Sequence, residues 1–249
     1  MLLNRRKFIT TTAATSLALA APGLSAPAIA QGRKIKLGYV SPQTGPLAGF
    51  AESDAYNIAA FLASPHGENF EVVVKDSQSS SNRASSVAQE LIFEDEVDII
   101  TATSTPDTTN PVADQAELNG VPCITNDTPW QPHFFGRQGD PSVGFDYTFH
   151  FFWGLEDIIS VFSGIWDAVP TNKVVGALWP NDPDGNAWGD QELGLPKPLA
   201  TAGYTLTDPG RYQPLSDDFS NQIAAFKAAG CEIVTGNMIP PDFATFWSQ

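Results

Sequence analysis

The repeated order of strand and helix patterns along this chain restricts its fold more than any other feature. Six short apolar runs have the composition of β-strands, and helical patterns lie between them. In the clearest helical pattern, Ala84, Val87, Ala88, Leu91 and Ile92 recur with a 3.6-residue period. Strands that alternate with helices predict parallel sheets built from right-handed βαβ units, and hence an α/β fold. The six predicted strands are residues 35–42, 70–77, 97–104, 121–125, 173–180 and 232–238.

An irregular segment from Asn126 to Asp146 interrupts this alternation. It is rich in Pro, Gly and aromatic residues, and a loop of that length is usually functional or crosses between parts of a fold. The two alternating series on either side of it predict two α/β lobes, residues 31–146 and residues 147–249. The predicted helices are 50–63, one capped by Ser81, 106–119, 149–169, one starting at Ser216 and one starting at 240.

The first thirty residues have the pattern of an export signal. Arg5, Arg6 and Lys7 precede a short apolar stretch, and Ala28-Ile29-Ala30 is a small-residue cleavage site. The paired arginines followed by Lys-Phe-Ile are typical of a twin-arginine signal, which would make the twin-arginine export machinery a partner. An ordinary secretory signal is the alternative. Because the apolar stretch is shorter than the roughly 20 residues that span a bilayer, we expect cleavage near Ala30 and a free periplasmic protein.

The charge balance excludes some classes of partner. The chain has 13 Lys and Arg residues against 28 Asp and Glu residues, a formal net charge of −15. Proteins that bind nucleic acid neutralise phosphates with cations, and binding to anionic membrane surfaces depends on basic residues. We therefore expect an acidic protein that binds neither. Apolar residues make up 42% of the chain and charged residues 16%, which is the composition of a folded globular protein.

Several segments, in the correct order, resemble one family. Residues 35–54, IKLGYVSPQTGPLAGFAESD, resemble the opening of ABC-transporter substrate-binding proteins of the branched-chain amino acid type. Those proteins, which include the leucine/isoleucine/valine-binding proteins, have a strand ending in a Thr-Gly-Pro turn and then a helix. The resemblance continues through residues 76–100, 116–125 and 217–234. It therefore covers nearly all of the chain after the signal.

The resemblance implies the type I periplasmic binding fold, with two Rossmann-like lobes that close on a small ligand. It also implies a partner, an ABC permease in the inner membrane, and a monomeric protein without a cofactor. Family members continue well beyond the length of this chain, and Gln249 falls inside a predicted helix. We therefore expect a C-terminally truncated sequence whose second lobe is incomplete. A sensor domain that presents its ligand to a membrane signalling protein is the alternative, and a periplasmic enzyme is a more distant one.

The ligand site is expected beyond the carboxyl ends of the predicted strands, where open parallel sheets bind ligands. Ser104 and Thr105 follow the third strand and precede a helix that begins with Pro106, so hydroxyls and free N–H groups meet there. In the resembling family this segment binds the carboxylate of an amino acid ligand. Thr105 is equally well read as a plain helix cap. The Asp107 carboxylate in the first turn competes with a ligand carboxylate for the positive end of this helix. Its presence fits either a capped helix that binds no anion or a site for a ligand amine.

Other site candidates lie in the remaining loops at these strand ends. Trp130 and Trp188 lie in polar segments, where burial in a core is harder, so their rings are candidates for contact with an aromatic or bulky ligand. Asp184 departs from the family, which often places an aromatic-Gly pair there. Arg137 is read as a solvated loop residue or as a partner of a ligand carboxylate, and His133 as an exposed loop histidine. The full set of predicted ligand-binding residues is Phe50, Ser104, Thr105, Asn126, Trp130, Asp184, Trp188 and Met238.

Catalytic and metal-binding motifs are missing from the sequence. Residues 182–193 start like a calcium loop, but Ala187 and Leu193 stand where that loop needs Gly and a bidentate Glu. The chain has no Gly-x-Ser-x-Gly, His-Glu-x-x-His or Walker motif, and its three histidines are scattered. We therefore expect no catalytic residues and no metal. The expected ligand is a small organic acid or an amino acid-like compound, and an aromatic one is included because of the many aromatic residues.

Overall fold

Five parallel strands form the first sheet of the computed structural model, which describes residues 33–249. The sheet order is β2-β1-β3-β4-β5, and every neighbouring pair is parallel. Each connection between these strands is therefore a crossover, as the alternating pattern predicts. The strands are β1 (Ile35–Ser41), β2 (Phe70–Asp76), β3 (Ile99–Thr103), β4 (Cys123–Asn126) and β5 (Thr148–His150).

The helices of this first lobe begin and end where local chemistry dictates. The Ser80 hydroxyl accepts a hydrogen bond from the Arg83 amide and caps α2, so the cap lies one residue before the predicted Ser81. Pro106 occupies the first turn of α3, and Gly120 ends that helix in the left-handed conformation at φ 68°. The helices are α1 (Asp54–Ala63), α2 (Ser81–Phe93), α3 (Pro106–Asn119) and α4 (Trp130–Phe134).

A second, smaller parallel sheet has the order β7-β6-β8. Its strands are β6 (Val174–Leu178), β7 (Thr205–Thr207) and β8 (Ile233–Gly236). The sequence predicted β6 and β8 but not β7, whose three residues are too few to form a recognisable pattern. The helices of this second lobe are α5 (Leu155–Asp167), α6 (Pro183–Trp188), α7 (Pro196–Thr201), α8 (Ser220–Ala229) and α9 (Pro240–Ser248).

Each sheet has a separate apolar core. In the first lobe, α2 and α3 pack against β1, β3 and β4 through residues such as Val87, Leu91 and Ile100. In the second lobe, α5, α6 and α7 cover one face of the sheet and α8 covers the other. Two glycines permit these close approaches. An added Cβ at Gly38 would lie 2.8 Å from Leu91, and one at Gly176 would lie 2.6 Å from Phe226, distances that packed carbon atoms do not reach.

The crossing between the lobes lies later than predicted. Residues 148–150 form β5 and pair with β4, so the first sheet extends past the expected boundary at residue 146. Leu155 and Ile159 of α5 belong to the second core, and the predicted helix over 149–169 is therefore shorter and starts after the crossing. The predicted helix from Ser216 starts at Ser220. The predicted signal and its cleavage near Ala30 lie outside the described residues.

Candidate functional site

The loop after β1 is fixed by side chains from the neighbouring strand and turn. The Asp76 carboxylate accepts hydrogen bonds from the Thr44 amide at 3.2 Å and the Thr44 hydroxyl at 2.6 Å. The Ser79 hydroxyl donates to the Thr44 carbonyl and accepts from the Leu47 amide. Phe50 follows in a short 3₁₀ turn and is half-exposed. The loop is thus rigidly placed at the carboxyl end of the first sheet, with the Phe50 ring free to contact a ligand.

The start of α3 offers polar groups that the protein itself does not use. Ser104 is 0% exposed, its backbone has a φ of 129°, and its hydroxyl has no hydrogen-bond partner. Thr105 occupies the N-cap position, but its side chain makes no capping bond. The Thr109 hydroxyl is buried and also unpartnered. Buried polar groups in proteins are nearly always paired, so the Ser104 and Thr109 hydroxyls are suited to a bound molecule.

The end of β4 contributes one free acceptor and one engaged aromatic residue. Asn126 ends the strand, and its side-chain oxygen is buried without a partner. Trp130 starts α4, and its indole N–H donates to Glu156 of α5 at 2.9 Å. Glu156 also accepts from Gln131, whose own oxygen accepts from the Leu155 amide. Trp130 can therefore offer a ligand only its ring, and its polar contact ties α4 to α5.

In the second lobe, Asp184 and Asn237 meet at the ends of β6 and β8. The Asn237 side-chain amide donates to one Asp184 oxygen at 3.0 Å. The Asn237 side-chain oxygen has no partner, and a second hydrogen bond, from the Trp188 indole, also holds down the pKa of Asp184. Asp184 was predicted from the sequence and Asn237 was not. Asn237 could have been found, because it is a polar residue directly after a parallel strand. It lies in the same loop from which Met238 was predicted.

The expectation for Trp188 needs correction. It does not lie in a loop but ends α6, is 5% exposed, and packs in the second core with its ring 5.9 Å from that of Phe162. Met238 also packs against core residues, and it lines a cavity of about 420 Å³ together with Leu178 and Phe243. The Trp188 side chain is thus occupied by packing, whereas Met238 is half-buried and faces a cavity.

Carboxylates from both lobes influence one another at this end of the sheets. Burial raises the pKa of Asp184 to about 6, and the charges of Asp182 and Asp107 add to that rise, while the Asn237 amide opposes it. Burial likewise raises the pKa of Asp182, and Asp107 and Asp242 contribute. Asp107 belongs to the first lobe and the other three to the second. The two lobes therefore present acidic groups to a common space.

The expectations for His133 and Arg137 are also corrected. His133 is buried, and its Nδ1 donates to the Asn110 side-chain oxygen at 2.9 Å. The Arg137 side chain is 1% exposed and pairs with Asp114 at 2.6 Å. Neither residue is a solvated loop residue. The short helix α4 and the turn after it, residues 130–139, fold these polar side chains inward, so the segment 126–146 is only partly irregular.

The described part of the chain was searched for metal-binding clusters and for membrane-spanning helices. Over residues 33–249, no three or more His, Cys, Asp or Glu side chains are arranged to hold a metal ion. In the same range no helix is both long enough and apolar enough to cross a membrane.

The sequence model of the periplasmic binding protein family matches residues 34–249. The chain belongs to the periplasmic binding protein family. No curated protein sequence matches it. The family assignment agrees with the geometry above, in which the polar ends of two parallel sheets supply groups to a shared space.

Solved structures of periplasmic binding proteins have the same fold. An ABC-transporter solute-binding protein from Rhodopseudomonas palustris HaA2, in complex with p-hydroxybenzoic acid, has a TM-score of 0.69 and 20% identity. The match covers 86% of this chain and 56% of that one. The leucine-binding protein LivK from Thermotoga maritima MSB8 has a TM-score of 0.66 and 18% identity, covering 85% and 58%.

A third structure is the branched-chain amino acid transporter substrate-binding protein LivJ from Streptococcus pneumoniae, in complex with isoleucine. Its TM-score is 0.61 and its identity 18%, with 82% of this chain and 57% of that chain covered. At such identities the likeness establishes the type I periplasmic binding fold alone. This chain spans a little over half the length of these structures.

Proposed function

We propose that this protein is the periplasmic solute-binding component of an ABC importer. It captures a small organic solute between its two lobes and delivers that solute, chemically unchanged, to a membrane permease. The family match over residues 34–249 carries this proposal. The solved structures with p-hydroxybenzoic acid and isoleucine support a ligand of similar size.

The predicted contacts are Phe50, Ser104, Thr105, Asn126 and Asp184. Phe50 offers an exposed ring and the other four offer hydroxyl, amide or carboxylate groups at strand ends. The set has acceptors and donors but no activated nucleophile with an adjacent base, which is what binding without turnover requires. We omit Trp188 from the contact set because packing occupies its side chain, and Met238, which faces a cavity, stays a predicted contact.

Native mass spectrometry of the exported protein tests this function. We expect a small molecule to copurify, and its mass identifies it after the protein is unfolded. Adding that compound back should raise the melting temperature in proportion to RT ln(1 + [L]/Kd). The compound should be recovered with its mass unaltered. Recovery of a converted product contradicts simple binding, and no bound molecule together with no thermal shift from a periplasmic small-molecule extract contradicts the binding function.

Transport and sensing are separated by a cellular measurement. We expect uptake of the identified compound to be lost when the permease genes are deleted. Uptake that persists, with a lost signalling response instead, contradicts the importer role and leaves ligand capture intact.

A further inference from the structure

An apolar groove runs along the open edge of the second sheet. The strand β8 ends the order β7-β6-β8, so one side of it pairs with β6 and the other pairs with no strand of the described residues. Alternate backbone groups of such an edge strand point outward and can pair with another chain. A cavity of about 420 Å³ lies here, and we call it the β8 groove. It is defined by Ile165 and Trp166 of α5, Val234 of β8, and Phe243 and Trp247 of α9.

Large apolar side chains are exposed around the β8 groove. Ile165 is 57% exposed, Val234 46%, Phe243 52% and Trp247 77%. Their exposed parts together amount to roughly 500 Å², a patch size that on soluble proteins often marks an interaction site. An apolar centre of this size, surrounded by a polar rim, is suited to an interface of roughly 800 Å² per partner. The patch is thus large enough for a stable protein contact.

The helix α5 has apolar side chains on two faces. Leu155 and Ile159 pack in the second core. Val161 and Ile165, four residues apart on another face, are both more than half exposed. A helix with apolar residues on more than one side is normally covered on each of them. Among the described residues only the first face is covered, which indicates that a further surface packs on α5.

The distribution of charge indicates which surface this is. None of the described residues that line the β8 groove is charged, although the whole chain has a net charge of −15. In contrast, the outer strand of the first sheet, β2, carries Glu71 and Lys75, and charges on an edge strand oppose its pairing with another chain. Two copies of so acidic a chain repel each other. Their contact is therefore least opposed through a surface that is uncharged on both copies.

The β8 groove also contains both halves of a self-complementary contact. A two-fold interface uses the same patch on each copy, so that patch must both project and receive. The unpaired edge of β8 can pair with an identical edge in the antiparallel direction. Trp247 projects from the patch, and the cavity that it lines offers room for an aromatic side chain.

We propose that two copies of this chain associate through their β8 grooves about a two-fold axis. The two β8 strands pair antiparallel, so the second sheets of both copies join into one sheet of six strands. The exposed apolar side chains of α5 and α9 then pack against the other copy. This association departs from the monomer that the family resemblance implies, and it does not depend on the proposed ligand-binding function.

Sedimentation equilibrium of the exported protein, between about 1 μM and about 200 μM, tests the association by mass action. We expect the average mass to rise from one copy to two and then to stay constant, because a two-fold contact closes on itself. A mass of one copy at every concentration overturns the inference, whatever else the groove binds. A mass that continues to rise beyond two copies overturns it as well.

A charge placed on the strand edge tests the role of β8. Val234→Lys should weaken the association of two copies at least about tenfold, because like charges would meet across the axis. The matched control is Val143→Lys, which adds the same side chain at an exposed apolar position outside the groove, and it should associate like the wild type. Both substitutions are at exposed positions, so equal melting temperatures at low concentration should show that both variants fold. Wild-type association of Val234→Lys overturns the inference.

A mixture of two charged variants tests the two-fold arrangement. Val234→Lys and Val234→Glu should each remain monomeric at concentrations where the wild type is dimeric. An equimolar mixture of the two should restore the dimer, since opposite charges then face each other across the axis. A mixture as monomeric as its components overturns the antiparallel pairing of β8.

Hydrogen exchange locates the contact in the wild type. Exchange of the amides in Ile233–Gly236 should slow as the concentration rises, whereas exchange in β7, the opposite edge strand, should not change. Slowing in β7 alone overturns the assignment to β8. Val234→Lys should still bind the compound identified by native mass spectrometry with wild-type affinity, so failure of the association and failure of the binding function are seen separately.

Discussion

Ser104 combines two features that cost free energy. Its φ of 129° lies in a region that residues with a Cβ avoid, and its buried hydroxyl has no partner. Strain of this kind costs on the order of 1–3 kcal/mol and persists where a function needs it. The serine directly follows β3 and precedes the cap of α3, at the carboxyl end of the first sheet. We interpret the strain as the cost of aiming this hydroxyl at the ligand.

Replacing Ser104 by glycine should separate stability from binding. Ser104→Gly relieves the backbone strain, and after the entropic cost of glycine we expect a gain of about 1 kcal/mol in the free energy of unfolding. It should also weaken binding of the compound identified by native mass spectrometry about tenfold. Urea denaturation and calorimetry measure the two quantities.

Ser104→Ala is the matched control, since it keeps the Cβ and the strain but lacks the hydroxyl. It should weaken binding equally without the stability gain. Wild-type affinity in both variants would show that the hydroxyl does not contact the ligand.

At single positions, the sequence predicts the role of a side chain in local structure better than its burial or its backbone conformation. Thr105 was correctly placed at a helix cap because Pro106 and Asp107 follow it. No local pattern, however, reveals that Ser104 has a positive φ. Trp188 was assigned to a loop because Gly and Asp surround it, and only its packing against Phe162 places it in a core. Burial depends on residues distant in sequence, so single residues in Gly-rich segments are the hardest to assign.

Between β4 and β5, the chain is held by a buried polar network. The His133 ring stacks on His150 with centroids 4.4 Å apart. His133 donates from Nδ1 to Asn110, so its Nε2 is the acceptor that faces Arg137 at 3.3 Å. His150 accepts from Thr125 at Nδ1 and donates from Nε2 to the Thr128 carbonyl. Both imidazoles are therefore neutral, and a proton added to His133 would lie beside the Arg137 charge.

Acid should destabilise this element through His133. Burial, with contributions from His150 and Arg137, lowers the pKa of His133 to about 3, against an ordinary value of 6.5. The unfolded state thus binds the proton more readily, and stability falls as the pH decreases from 6.5 towards 3. Wild type should lose up to about 1.4 kcal/mol per pH unit in this range relative to His133→Gln, which retains a donor and an acceptor. Urea denaturation between pH 6.5 and pH 5 measures the difference.

The pH dependence of the wild type must be compared with that of His133→Gln, because Asp184 changes the stability in the opposite direction. Its pKa is raised to about 6, so the folded state gains stability as the pH falls through that value. The control is His66→Gln, since His66 is exposed; its curve should run parallel to that of the wild type. A parallel curve for His133→Gln would exclude the buried network as the source of acid sensitivity.

Elements with a strong apolar period were predictable, and short ones were not. The pattern of α2 and the cap and stop signals of α3 located both helices to within a residue or two. In contrast, α4, β5 and α6 have three to six residues each, too few for a period to emerge. Tertiary contacts stabilise these elements, such as the backbone pairing of β5 with β4, and they lie where the candidate site is built.

At the scale of the whole molecule, two separate parallel sheets place their carboxyl ends towards one space. The sequence predicted this arrangement because each βα unit delivers its loop to the same edge of a sheet. It did not predict which loops touch. In the structure, the loop after β1 approaches the start of α9, and a Cβ added to Gly49 would lie 3.3 Å from the Pro240 ring. Absence of a side chain at Gly49 permits this approach between the lobes.

A bulky residue at Gly49 should hold the lobes apart. Gly49→Leu places a side chain of four carbon atoms against Pro240, so a ligand would have to be bound by a cleft that closes less completely. Binding proteins of this fold obtain affinity by closing on the ligand, and incomplete closure leaves contacts unmade. We expect about tenfold weaker binding of the compound identified by native mass spectrometry, with no loss of melting temperature in the unliganded protein. Small-angle scattering should give a larger radius of gyration for the liganded variant than for the liganded wild type.

Gly164→Leu is the control for size, because a Cβ at Gly164 meets no atom within 4 Å and the residue is exposed on α5. It should bind like the wild type. Gly49 is not itself one of the predicted ligand contacts, so the scattering measurement distinguishes incomplete closure from a direct effect on the neighbouring Phe50. If Gly49→Leu binds with wild-type affinity and compacts normally, then the approach of Gly49 to Pro240 is incidental. Binding in that case would depend on the groups at the strand ends without closure.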